Sequence, residues 1–245
     1  MKIHRQTLIQ HLNRVSCNGQ VEGAVFTGAF ATAALTEDHL LCVIAPGLPK
    51  VEALEEQIGV ANISRLVKGL QILAGVGNEG VEVEVTVEDF RLVLHEGYRG
   101  SLHLLTAAPK TIGTAVEGET LKRLLEQCPT GKGIPLTKSL VDGIQDMFSL
   151  LKAEEVEIVV GKGKKAGKIV VGNANTADFH ETPVKELVGK EEYSLLFGKH
   201  FVDALGTVTN FSEAQLLLAG PDSFVVVEDS GYRYLLSPRS RGAEG

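Results

Sequence analysis

The chain has 245 residues, enough for one large domain or two of ordinary size, and its 44% hydrophobic and 22% charged residues are those of a folded globular protein. No apolar stretch approaches the ~18 residues of a bilayer span, and the N-terminus lacks the apolar core of a signal peptide, so the expectation is an intracellular protein (cytoplasm or nucleoid, nucleus, or infected host cell) with no membrane partner. A net charge of −7 argues against a simple nucleic-acid coat, and the three dispersed cysteines, Cys17, Cys42 and Cys128, lack metal-ligand spacing and read as reduced structural thiols.

Lys2-Ile3-His4 reads as a short strand. It leads into an amphipathic helix over about Gln6 to Cys17, with Leu8, Ile9, Leu12 and Val15 on one face and Asn18-Gly19 as its stop. Strands follow at about Val21 to Leu35 and Leu40 to Ala45, around the turn Thr36 to His39. Val51 to Val60 is extended. A second helix spans about Asn62 to Ala74, capped by Asn62, with Ile63, Leu66, Val67, Leu70 and Leu73 inward. After a turn over Gly75 to Gly80, Val81, Val83, Val85 and Val87 alternate with Glu82, Glu84, Thr86 and Glu88, the pattern of a strand with one wet face. Arg91 to His95 and Ser101 to Ala107 continue as antiparallel strands around a turn over Glu96 to Gly100.

The pattern then restarts. A joint of about Ile112 to Lys132 holds a short helical stretch, Leu121 to Leu125. Gly133-Ile134-Pro135 leads into a helix over Thr137 to Lys152 with Leu140, Ile144, Met147, Phe148 and Leu151 apolar. Strands flank the turn Gly161 to Gly167; Tyr193 to Phe197 is a strand and Lys199 to Val208 a short helix. Ala214 to Ala219, Ser223 to Glu228 and Tyr232 to Leu236 close the chain as strands. An internal repeat of this length predicts two domains, 1–113 and 133–239, a connector at 114–132 and a tail at 240–245. Two helices per half are too few to cover both faces of the strands. The expected class is therefore α+β, with two similar domains of antiparallel sheets and two helices each, the helices gathered on one face.

The residues offer no catalytic set. There is no His-Glu-x-x-His, no Gly-x-Ser-x-Gly and no acidic cluster at metal spacing, so neither enzyme chemistry, nor a metal, nor a cofactor is expected. Gly161 to Gly167 resembles a phosphate loop only faintly: the Gly-Lys-Ser/Thr ending is missing and its flanks read as hairpin strands, so it reads as a basic hairpin turn that could still touch phosphates.

Charge is distributed unevenly. Met1 to Val21 contains no Asp or Glu although the chain has 31 acids and 24 bases. The first helix carries Arg5, Gln6, Gln10, His11, Asn13 and Arg14, and the second Arg65, Lys68 and Gln71, all without a carboxylate. Solvated helix faces would look the same. If the faces line one surface, that surface attracts phosphates without sequence preference. The second half supports this less: Lys138 and Lys152 are accompanied by Asp142 and Asp146, and Lys199 and His200 by Asp203.

Gly59-Val-Ala-Asn-Ile-Ser-Arg65-Leu-Val-Lys68-Gly-Leu, with Gly77-Asn-Glu and the strand ending Val87-Glu-Asp89, resembles the second helix and following strand of eukaryotic and archaeal DNA sliding clamps. Gly231-Tyr-Arg-Tyr-Leu-Leu-Ser-Pro238-Arg239 resembles that family's closing strand, and Glu37-Asp-His39-Leu-Leu the loop bordering its partner pocket. Phage clamps of the T-even type are similar in length and plan. The resemblance implies a polymerase processivity factor: a head-to-tail homotrimeric ring around double-stranded DNA, with DNA polymerase and a clamp loader as partners. It places Lys2, Arg5, Gln10, His11, Arg14, Arg65, Lys68, Lys138, Lys152, Lys199 and His200 at the hole. It assigns His39, Leu40, Tyr234, Leu235, Leu236 and Pro238, with Leu121, Leu124 and Leu125 of the joint, to a pocket for partner peptides. Two departures stand out: Gln10 and His11 replace lysines usual in the family, and Leu235 replaces its aromatic. The competing expectation is a non-enzymatic assembly protein of a phage or cell, built from β-rich tandem domains and without a DNA role.

Overall fold

A computed structural model of the chain describes residues 2–51, 57–73, 82–88, 91–95, 100–129, 133–173, 178–221 and 223–239. The expected turn at Gly75 to Gly80, most of that at Glu96 to Gly100, part of the extended stretch before Val60 and the tail 240–245 lie outside the described residues. The chain divides into two compact units, Met1–Glu126 and Gln127–Gly245.

In the first unit, strand β1 (Lys2–His4) passes without a loop into helix α1 (Arg5–Ser16). The helix has no side-chain cap at its start. At its end Cys17 adopts φ 47°, and the Asn18 N–H reaches back to the Asn13 carbonyl at 3.3 Å, so the stop comes a residue earlier than Asn18-Gly19 suggested. Strands β2 (Ala24–Phe26), β3 (Thr32–Leu35), β4 (Leu41–Ala45) and β5 (Ile58–Val60) follow. The long strand expected over Val21 to Leu35 is thus two strands. Between them Thr27 and Ala31 pair across a turn in which Gly28 and Phe30 both take positive φ.

Helix α2 (Ile63–Leu73) starts where Asn62 Oδ1 accepts the Arg65 N–H at 2.7 Å, the cap its sequence implied. Then β6 (Glu82–Glu88), β7 (Arg91–His95) and β8 (Ser101–Leu105) form an antiparallel sheet in the order β1-β6-β7-β8. Val83 and Val85 are buried while Glu82, Glu84 and Glu88 face water, as the alternation predicts. Leu8, Ile9, Leu12 and Val15 of α1 and Ile63, Leu66, Val67 and Leu70 of α2 are buried, and the two helices pack together. Each such side chain stabilises the fold by about 1.5–3 kcal/mol. At Gly69 a Cβ would meet the tip of the Leu102 side chain of β8, so a larger residue there requires Leu102 to move aside. A 3-10 turn at Pro109–Thr111 and helix α3 (Gly118–Gln127) follow.

The second unit repeats the plan. Strand β9 (Ile134–Pro135) precedes helix α4 (Lys138–Leu150), whose N-cap Thr137 accepts the Leu140 N–H at 3.3 Å. Strands β10 (Val156–Lys162), β11 (Gly167–Gly172), β12 (Phe179–Val184), β13 (Val188–Gly189) and β14 (Tyr193–Phe197) come next, then helix α5 (Lys199–Leu205). The unit closes with β15 (Gln215–Leu218), β16 (Val225–Asp229) and β17 (Tyr232–Leu236). The antiparallel run is β12-β11-β10-β14, with β13 beside the end of β10; the other run is β17-β16-β15-β9. In both units the strand before the first helix pairs antiparallel with the first strand of the closing meander, β1 with β6 and β9 with β15. The fold class is α+β, as expected, with the repeat expressed in topology.

Two details differ from expectation. Strands β12 and β13 were not foreseen, because Phe179-His-Glu-Thr-Pro-Val mixes polar residues with a proline and lacks a clean period. In α4 it is Val141 and Ile144 that are fully buried, while Leu140, Met147, Phe148 and Leu151 are half-buried, so the inward face is turned from the one expected.

Candidate nucleic-acid interface

The helices α1 and α2 differ in what they expose. On α1 the exposed residues are Gln6, Thr7, Gln10 and Asn13, all neutral. Arg5, only 6% exposed, is buried, and Arg14 is half-buried; both are engaged within the fold. His11, 1% exposed, is a core residue. Its Nε2 lies 2.7 Å from the Phe30 carbonyl oxygen, which can only accept, so the ring carries its proton there. Phe26 packs beside it, with ring centroids 6.4 Å apart. Burial holds the His11 pKa down at about 4, opposed by the hydrogen bond to Phe30 and reinforced by the Arg14 charge. Arg5 and His11 are therefore corrected: helical spacing placed them on the polar face, but the tight passage from β1 into α1 and the Phe26–Phe30 cluster draw them inward.

On α2, Ser64, Arg65, Lys68, Gln71 and Ile72 are exposed and no carboxylate is present. Arg65 and Lys68 stand three residues apart, hence on one stripe, and both are open to solvent. Lys2 is exposed on β1, in register with Glu84 of β6.

In the second unit the lysines that open the two helices are already partnered. Lys138 Nζ lies 2.6 Å from Asp142 Oδ2, and Lys199 Nζ lies 2.7 and 2.6 Å from the two Asp203 carboxylate oxygens. His200 is half-buried and engaged. Lys152 is exposed just past α4, at φ 48°. The basic hairpin turn between β10 and β11 is compensated in part: Lys165 pairs with Glu192 at 2.8 Å, and Lys168, just past the turn, pairs with Glu181. Its glycines have a backbone reason: a Cβ at Gly161 would meet the Lys165 carbonyl, and one at Gly167 the carbonyls of Val159 and Leu187.

The residues assigned to a partner pocket fall into two groups. His39 is exposed, at φ 58°, at the tip of a turn locked by Asp38: Thr36 Oγ1 donates to Asp38 Oδ1 at 2.6 Å and the Leu40 N–H donates to the same oxygen at 3.1 Å. Leu40 is half-buried. Helix α3 buries no residue; Leu121 and Leu124 are half-buried and Leu125 is exposed, making an apolar stripe. Pro238 is half-buried beside Arg239, whose N–H donates to the Leu196 carbonyl at 2.7 Å. Tyr234, Leu235 and Leu236 are at most 3% exposed, so these three are core and cannot receive a peptide in this conformation. In β17, Tyr-Arg-Tyr-Leu-Leu, every residue but the half-buried Arg233 is buried, which the sequence allowed but did not require.

Five large apolar residues that sequence reasoning passed over are exposed: Ile72 (81%), Leu105 (79%), Leu150 (71%), Phe179 (43%) and Val188 (42%). Leu105 was legible, because it breaks the alternation Ser101-Leu102-His103-Leu104 on an outward position. Ile72 was legible too, seven residues after Arg65 and so on the wet stripe of α2. Among the described residues, no group of three or more His, Cys, Asp or Glu is placed to hold a metal ion, and no helix is long and apolar enough to cross a membrane.

No family model and no curated protein matches the chain by sequence. Solved structures match it along nearly its whole length. PCNA of A. fulgidus, solved with the C-terminal region of FEN-1 bound, is 14% identical with a TM-score of 0.69, covering 98% of both chains. A PCNA2–PCNA3 complex from Sulfolobus tokodaii is 9% identical with a TM-score of 0.64, covering 98% of this chain and 99% of that one. The beta sliding clamp of C. crescentus is 16% identical with a TM-score of 0.66; the match covers 98% of this chain but 65% of that chain. The likeness is one of fold.

Proposed function

The chain has the DNA sliding-clamp fold, and we propose that it is a processivity factor, which encircles duplex DNA and tethers a polymerase without catalysing a reaction. The observation that carries this is the repeated strand–helix–strands–helix–meander unit together with α2, which presents Arg65 and Lys68 to solvent with no carboxylate on the helix. On this reading 1–113 and 133–239 act as the repeated domains, and 114–132 as the connector. Three copies close head to tail, which requires a heterologous interface whose rotation closes. A closed ring cannot leave DNA sideways, so weak, sequence-independent phosphate contacts suffice, and strong ones would oppose sliding. Polymerase and loader segments would dock on the leucine stripe of α3 and at the His39 turn, as apolar peptides captured on an apolar surface.

The test is direct. Negative-stain images and light scattering should show a closed ring of trimer mass. A ring placed on nicked circular plasmid should stay bound and should be lost when the plasmid is cut. Arg65→Glu with Lys68→Glu should lower retention and polymerase stimulation while the melting temperature stays within a few degrees. A monomer that ignores DNA topology would favour the assembly-protein alternative instead.

A further inference from the structure

The four helices other than α3 do not share their charge equally. Exposed α1 residues are neutral, and α2 exposes two cations and no acid. Each helix of the second unit opens on a lysine, and each lysine is held one turn later by an aspartate, at 2.6 Å for Lys138–Asp142 and 2.6 Å for Lys199–Asp203. Helix stability does not call for this order. A cation in the first turn faces the positive end of the helix macrodipole, and base-before-acid is the weaker of the two i,i+4 arrangements. The same locally unfavourable choice occurs twice, which points to a use outside helix formation. The Asp203 side chain is 13% exposed against 64% for Lys199, so the carboxylate is the fixed partner and the ammonium the tethered one. Asp146, exposed on α4, adds a further negative charge to that helix.

We infer that each chain touches duplex phosphates chiefly through α2, and that Asp142 and Asp203 are positioning residues that hold Lys138 and Lys199 off the DNA. The inference rests on the clamp reading. Among the helices, a ring of identical chains then meets the duplex with one uncompensated cationic pair per chain, Arg65 with Lys68. A phosphate approaching Lys138 or Lys199 must displace a carboxylate already in contact, so little counterion release is gained there. The potential along the duplex stays shallow, which is what a sliding tether requires.

The experiment measures binding of a fluorescein-labelled duplex of mixed sequence to the assembled full-length protein by anisotropy across a series of salt concentrations. Arg65→Ala with Lys68→Ala should weaken binding at least about tenfold and flatten the salt dependence, since each lost phosphate contact removes about 0.9 from the log–log slope. Lys138→Ala with Lys199→Ala should change binding less than twofold. Asp142→Asn with Asp203→Asn should tighten binding severalfold and steepen the slope; Asp142→Asn alone, on an exposed side chain, should do so in part even if the Asp203 variant folds poorly. Equal losses in the two alanine pairs, or unchanged binding in both Asp142→Asn proteins, would overturn the inference while leaving the clamp reading intact. Wild-type protein that forms no ring and shows no salt-dependent duplex binding would remove the clamp reading, and the inference with it.

Discussion

The imidazole of His11 donates to the carbonyl of Phe30 across 2.7 Å, inside the core of the first unit. This links α1 to the turn between β2 and β3 through a ring that must stay neutral. Its folded pKa of about 4 lies below the unfolded value of 6.5. Between those values the unfolded chain takes up a proton that the folded chain refuses. Stability is therefore full above about pH 6.5 and falls as pH drops towards 4. The size is on the order of 3 kcal/mol by pH 4 for this residue alone. Urea titrations between pH 7.5 and 4.5 should show the decline, and His11→Gln should be less stable at pH 7.5 yet lose less on acidification. An equally steep decline in that variant would place the titration elsewhere.

His11 also shows where sequence reading stopped. Periodicity identifies the inward faces of α1 and α2 well, because Leu8, Leu12, Leu66 and Leu70 have no alternative to burial. It does not say whether a polar residue at the margin of the apolar stripe finds an internal acceptor, and the Phe30 carbonyl became one only after a distant turn folded beneath the helix. Arg65 and Lys68 were legible because nothing acidic shares their helix. Lys138 and Lys199 were legible together with the aspartates four residues on, and the structure adds that each pair closes to 2.6 Å. Tyr234 and Leu236 were assigned to a partner pocket by the family resemblance of the closing strand; the residues of that strand do not by themselves reveal that Tyr234, Leu235 and Leu236 are all buried.

In the second unit the buried carboxylate of Asp229 fixes the chain between α5 and β15. One of its oxygens accepts the Thr209 N–H at 2.8 Å, the Thr209 hydroxyl at 3.2 Å and the Asn210 N–H at 3.3 Å, while the Ser230 hydroxyl donates to the other at 2.8 Å. Asp229 has no exposed surface. Replacing it with Ala removes the acceptor but leaves the two amides inside, at a cost of about 2–4 kcal/mol. Asp229→Asn keeps one acceptor oxygen and should cost less than half as much. Thermal melts rank the three proteins; equal stability of Asp229→Ala and wild type would show that water replaces the carboxylate.

The open strand edges argue the last expectation. Among the described residues β8 ends one sheet and β12 ends another, and each leaves a row of backbone donors and acceptors without a strand on its far side. Such edges invite pairing with a second chain unless something blunts them. Pro183 partly blunts β12 by removing one N–H. Apolar surface does the reverse: Leu105 lies on β8, and Ile72 lies in the last turn of α2, the helix packed against β8; Phe179 lies on β12, and Leu150 ends α4, the helix packed against β11. Each unit thus offers an edge strand and two exposed apolar side chains beside it, and the two surfaces belong to different units, which is the condition for head-to-tail closure. Leu105→Glu or Phe179→Glu should each weaken association by at least about 2 kcal/mol, because a charge would be buried against an apolar partner. On the proposed ring reading, sedimentation across a micromolar concentration range should show wild type as trimer and either variant shifted to monomer with an unchanged circular dichroism spectrum. If both variants remain trimeric, the chains close through some other pair of surfaces and β8 and β12 are edges left open to water.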